Sequence, residues 1–192
     1  MTVNQNHSDD ICRDRGTFIT KVEEFYDNES QLLQDDLCER ALVFRLGCRL
    51  YAAFSGCSVY CEYNKAHGED GVTSKEIPEQ IHTYPDILIF SDTVNDSSAN
   101  KIIVEVKKEN NNQSWGSDIN KLKWFTDPVY KYRYKTGYHL ILAKTFFILC
   151  LYERGSLVSA KKYIRNNTDW IIQTASLTNY ATRNDVLGAN YV

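Results

Sequence analysis

Two short β-prone runs joined by a turn-rich segment constrain this chain more than any other feature. Asp86–Phe90 and Lys101–Lys107 are dense in Ile, Val, Leu or Phe, and Ser91–Asn100 between them is dominated by Ser, Asp and Asn. Branched and aromatic side chains suit a pleated surface, whereas Ser, Asp and Asn hydrogen-bond their own backbone in turns. The pair is therefore expected as an antiparallel hairpin with a long tip. A further β-prone run, Ser58–Tyr63, precedes it, and Tyr138–Ala143 and Phe146–Tyr152 follow it.

Helical periodicity surrounds these runs. A long helix is expected over Glu29–Phe54, opened by Asn28 with Gln31 at capping-box spacing and closed by Gly56. Leu33, Leu37, Ala41, Phe44, Cys48 and Tyr51 form one apolar stripe, and Leu42, Leu46, Leu50 and Ala53 a second on nearly the opposite side. Glu39 projects close to the second stripe, where a carboxylate needs a partner. A short helix is expected from Ser117 or Asp118, either serving as cap, to Phe125 before Pro128, and a closing helix over Ala160–Gln173. The order α-β-β-β-α-β-β-α reads as an α/β fold, a mixed central sheet flanked by helices. At 192 residues one domain is expected, with its core at about residues 29–152 and flexible polar tails at 1–15 and 174–192.

Composition then excludes several classes. With 43% hydrophobic and 24% charged residues the chain is not expected to be disordered. No apolar run approaches the roughly 20 residues of a membrane span, and Met1–Asp10 lacks the basic and apolar regions of an export signal. None of the six cysteines forms a Cys-x-x-Cys pair, and Cys57 and Cys61 on one strand would lie roughly 13 Å apart, too far for a disulfide. Reduced thiols and a cytoplasmic location are expected. His7 falls in the N-terminal tail, His67, His82 and His139 lack metal-ligand spacing and are expected to be structural or solvated, and no Gly-x-x-x-x-Gly-Lys-Ser/Thr loop is present, which excludes an ATP-driven motor. The net charge of −3 hides an acidic first half and a basic second half, which fits a local phosphate-binding face or simply an uneven solvated surface. Tyr130–Lys135, alternating aromatic and basic, could stack bases and hold phosphates or form an edge strand with its aromatic face on the core.

The chemistry concentrates at Pro85-Asp86 and Glu105-Val106-Lys107. Side chains two apart on a strand share a face, so Glu105 and Lys107 point the same way, and hairpin pairing brings Asp86 beside them. Two carboxylates and an ammonium suit phosphodiester hydrolysis. A hard divalent cation favours oxygen ligands and lowers the pKa of bound water, and a lysine can offset charge developing on the phosphate.

These residues resemble the PD-(D/E)xK nuclease superfamily, the restriction-endonuclease-like fold with an αβββαβ core, over roughly Glu29 to Tyr152. The resemblance implies Asp86 and Glu105 as ligands of Mg2+ or Mn2+, the Val106 carbonyl as a third oxygen, Lys107 as the catalytic lysine and Glu39 as the glutamate of the first helix. It further implies Glu62 and Lys121 as auxiliary polar groups. The activity implied is metal-dependent hydrolysis of nucleic acid, DNA before RNA; the alternative is a catalytically silent module of the same fold that binds nucleic acid or a protein. A homodimer is left open.

Overall fold

The computed structural model describes residues 3–63, 65–68, 71–74, 76–77, 81–92, 97–111 and 115–175. Two helices come first, α1 (Val3–Gln34) and α2 (Glu39–Ala53), followed by strand β1 (Cys57–Cys61). Two small ribbons, β2 (Lys65–Gly68) with β3 (Gly71–Ser74) and β4 (Glu76–Ile77) with β5 (Ile81–His82), lead to β6 (Ile87–Ser91). After a short 3-10 turn at Ser97–Ala99 come β7 (Asn100–Lys108), α3 (Gly116–Thr126), β8 (Thr136–Leu142), β9 (Phe146–Glu153), β10 (Ser156–Asn166) and β11 (Asp169–Thr174).

The main sheet has seven strands in the order β1-β6-β7-β8-β9-β10-β11 and is mixed. The expected β6–β7 hairpin forms, with Ile87 opposite Val104, and β1 pairs antiparallel on its other side. β8 runs parallel to β7, and the connection between them carries α3. Parallel neighbours need such a crossover. Alternation along β7 sends Ile102, Val104 and Val106 into a core with Phe18, Val22 and Phe25 of α1 and Leu42, Leu46 and Leu50 of α2. Ile103 faces the other way, toward Ile119, Leu122 and Phe125 of α3. Two glycines permit this close layering. A Cβ on Gly47 would fall 2.4 Å from Cys61 Sγ, and one on Gly137 would fall 2.8 Å from Thr126 Cγ2.

Several sequence expectations are corrected. The helix expected over Glu29–Phe54 is not single: α1 kinks at Glu29, which is non-helical at φ −131° and ψ 20°, directly after Asn28, whose amide donates to the Glu24 carbonyl at 2.7 Å. A second break occurs at Asp36, in the left-handed region at φ 56°, before Cys38 extends the chain into α2. With the helix divided, Phe44, Cys48 and Tyr51 of the first stripe are exposed instead of packed, whereas Leu33 of that stripe is buried, and on α2 the Leu42-Leu46-Leu50 side faces the core. The expected N-terminal tail is helical from Val3, and Phe18, Val22, Phe25 and Tyr26 at helical spacing anchor it on the sheet.

The expected closing helix over Ala160–Gln173 is instead the β10–β11 hairpin, turned at Asn167 with φ 51°. The segment Tyr130–Lys135 is a loop, not an edge strand, although Tyr132 and Tyr134 are buried against Phe125 as the structural alternative required. At the C-terminus Thr174 closes β11 and the Ala175 N–H donates to Ala160. The expected tail beyond them lies outside the described residues.

Candidate functional site

The site forms where β6 begins and β7 ends. Continuing the β6–β7 register by one position places Asp86 opposite Glu105, and Glu105 in turn pairs with His139 on β8. Opposed residues on adjacent strands have Cβ atoms about 5 Å apart and share a face. The Val106 N–H donates to Asp86 Oδ2 at 2.6 Å, and the Asp86 carbonyl accepts from the Glu62 N–H at 3.0 Å, so the aspartate is held from both neighbouring strands. A residue's N–H and C=O leave a strand toward the same edge, so the Val106 carbonyl is presented on the Asp86 side too.

Glu105 and Lys107 lie on the α3 side of the sheet, and α3 brings two further charges to them. Lys121 contacts Glu105 Oε2 and stands 3.1 Å from Asp118 Oδ1. Lys107 Nζ lies 3.1 Å from Glu39 Oε1 and 3.2 Å from Asp118 Oδ2. Glu39, in the first turn of α2, also accepts the Lys108 N–H at 3.1 Å and the Asn111 amide at 3.2 Å through Oε2. The carboxylate expected to need a partner has found one, and it ties α2 to the end of β7.

Thus Asp86, Glu105, Lys107, Glu39, Val106 and Lys121 come together. Glu62 does not join their side chains: it adopts φ 51° and pairs at 2.7 Å with Arg40, which is itself well exposed. Two participants are not evident from sequence. Asp118 reads there only as a helix cap, whereas α3 begins at Gly116 and buries Asp118 to 3% exposure. Its spacing to Lys121, one helical turn, is the available signal. His139, which lacks metal-ligand spacing, is buried beside Glu105 with its ring edge-on to Trp115.

Burial dominates the electrostatics. It pushes Asp86 up to about 6 against the Val106 N–H and the charges of Lys121 and Lys107. Glu105, with no exposure, is driven well above the carboxylate range, Lys121 opposing burial and Asp86 adding to it. At Asp118 burial is outweighed by Lys121 and Lys107, which hold it below its ordinary value. Both lysines are held above theirs despite burial, Lys107 by Asp118 and Glu39, Lys121 by Glu105 and Asp118. Burial pushes His139 down to about 4, so it is neutral at physiological pH.

Among the described residues four carboxylates stand with two ammoniums, two of the carboxylates, Asp86 and Glu105, held above their ordinary range by burial, and the Glu105 Oε1 atom is buried with no hydrogen-bond partner. Both features suit an added cation. Among the described residues no three His, Cys, Asp or Glu side chains converge as a metal cage. Magnesium does not require one, since it binds through one or two carboxylates and keeps waters or substrate phosphates as its other ligands. Asp86, Glu105 and the Val106 carbonyl therefore fit a hard divalent cation.

The six cysteines are free, and among the described residues no helix is long and apolar enough to cross a membrane. No family model, curated protein or solved structure compared with the chain matches it.

Proposed function

We propose that this protein is a metal-dependent nuclease of PD-(D/E)xK type, acting on nucleic acid with DNA as the first substrate to test. The observation that carries the reading is the buried Glu105 Oε1, without a hydrogen-bond partner among the described residues, on the same strand face as Lys107 and in the row of Asp86. A fully buried carboxylate oxygen with no partner is costly in a structural role, and a bound cation removes that cost. The succession α2, β1, β6, β7, α3, β8, antiparallel except between β7 and β8, supports a restriction-endonuclease-like αβββαβ core.

Asp86 and Glu105, with the Val106 carbonyl, would hold Mg2+ or Mn2+. When bound, such an ion supplies Lewis-acid polarisation of the phosphate and a lowered pKa for water. The chain's own groups do the rest. Lys107, fixed between Glu39 and Asp118, presents a compact ammonium beside the carboxylate pair, where it can offset charge gathering on the phosphate oxygens. The Val106 N–H keeps Asp86 in register with Glu105.

Supercoiled plasmid, linear duplex and single strands incubated with magnesium, manganese or EDTA test the proposal. Cleavage of at least one substrate, abolished by EDTA, is expected. Metal binding without cleavage of any of them points to a silent module instead.

A further inference from the structure

We infer that Asp118 is a positioning residue that couples Lys107 and Lys121 into a two-ammonium donor for one phosphodiester, an inference that rests on the function proposed above. The two lysines come from different elements, β7 and α3, and each already has a carboxylate of its own, Glu39 for Lys107 and Glu105 for Lys121. Among the described ion pairs Asp118 is the carboxylate that lies beside both, Oδ2 at 3.2 Å from Lys107 without a hydrogen bond and Oδ1 at 3.1 Å from Lys121. It adds a third carboxylate to two lysines that each already have one, and an extra buried carboxylate is a poor way to gain stability.

Its use emerges when Glu105 and Asp86 engage a cation. Glu105 would then share its charge with the ion, and Asp118 would remain to keep Lys121 in place and level with Lys107. Lysine stems are flexible, and an ammonium is an effective transition-state donor only when its position is fixed beforehand. Asp118 is well placed to hold both, since it sits in the first turn of α3, where the helix dipole favours an anion, and is 3% exposed.

The test uses the full chain labelled with 15N-lysine, without metal or nucleic acid, and reads the ammonium signals of Lys107 and Lys121. Lys107→Arg and Lys121→Arg assign them. Asp118→Asn is expected to shift both signals or lose both to solvent exchange. Lys121→Gln, which leaves Asp118 in place, is expected to move the Lys107 signal as well, and it decides the matter if Asp118→Asn does not fold. A change confined to one lysine in Asp118→Asn, or an unmoved Lys107 signal in Lys121→Gln, overturns the coupling and leaves the proposed nuclease standing.

Cleavage rates supply the second readout. Asp118→Asn should lower the single-turnover rate on the order of a hundredfold with little change in nucleic-acid affinity. Adding Lys121→Gln should lower it by no more than about threefold further, because coupled groups are not additive. Fully additive losses overturn the inference. A wild-type protein that cuts nothing in the presence of metal overturns the nuclease reading and the donor role together, whatever the lysine signals show.

Discussion

The Val106 amide donates to Asp86 Oδ2 at 2.6 Å, which ties the residue before β6 to the strand that carries Glu105 and Lys107. One consequence is that Asp86 can meet a cation without rearrangement of the sheet. Manganese should raise the melting temperature of the wild type relative to EDTA, since a ligand that binds only the native state stabilises it. In Asp86→Ala the two melts should coincide. Equal shifts in both proteins would remove the proposed cation site.

The same aspartate should leave a mark on metal-free stability. Burial raises the Asp86 carboxyl to about 6, so the folded protein binds more protons than the unfolded chain, and stability falls as pH rises from about 4 to 6. Asp86→Asn loses that slope, a difference of about 2 to 3 kcal/mol accumulated across the window. His139, lowered to about 4, works in the opposite sense over the same range, and Glu105 in the same sense; both are present in the two proteins compared. Denaturant titrations in EDTA at several pH values read the effect. Parallel profiles for wild type and Asp86→Asn would contradict it.

Lys107 and Lys108 are adjacent but serve opposite faces of β7. Lys107→Ala should keep the manganese-induced stabilisation and lose about two orders of magnitude in cleavage rate. Lys107→Arg should also be impaired, because a planar guanidinium does not replace a compact ammonium between Glu39 and Asp118. Lys108 instead reaches Asp36 and the Leu37 carbonyl, the latter at 2.9 Å, in the α1–α2 break. Lys108→Ala should cost about 1 kcal/mol of stability and leave the rate per folded molecule nearly unchanged. Single-turnover kinetics beside thermal melts separate the two outcomes.

Glu39 holds three groups at once, Lys107, the Lys108 N–H and Asn111. Glu39→Ala leaves the Lys108 N–H without that acceptor and should destabilise the fold by about 1 to 3 kcal/mol. Glu39→Gln keeps an acceptor for that N–H and should recover much of the stability but not the restraint on Lys107. Denaturant midpoints and cleavage rates measured together would show whether the two losses separate; equal destabilisation by both substitutions would refute the hydrogen-bonding account.

Legibility from sequence depends on whether local pattern and tertiary context agree. The β6–β7 hairpin and the shared face of Glu105 and Lys107 follow from alternation and turn residues, and both appear as expected. The last hairpin reads as a helix because Ala160 and Tyr163 are apolar at helical spacing. In β10 they face opposite cores, Ala160 toward α3 and Tyr163 toward α1, beyond a bulge at Leu157/Ser159. The break at Asp36 depends on a left-handed residue other than glycine, for which the sequence offers only a weak hint. Asp118 reads as a cap because Asp is common there, and its role requires knowing that α3 lies over the end of β7.

The most direct measurement is the cleavage rate of Glu105→Gln against wild type, on whichever nucleic acid the wild type cuts, at saturating magnesium. Glutamine preserves the shape of the buried side chain and removes the carboxylate whose Oε1 has no hydrogen-bond partner among the described residues. The account predicts a loss of at least about a hundredfold in a protein that still folds. Wild-type activity in folded Glu105→Gln would place the chemistry elsewhere.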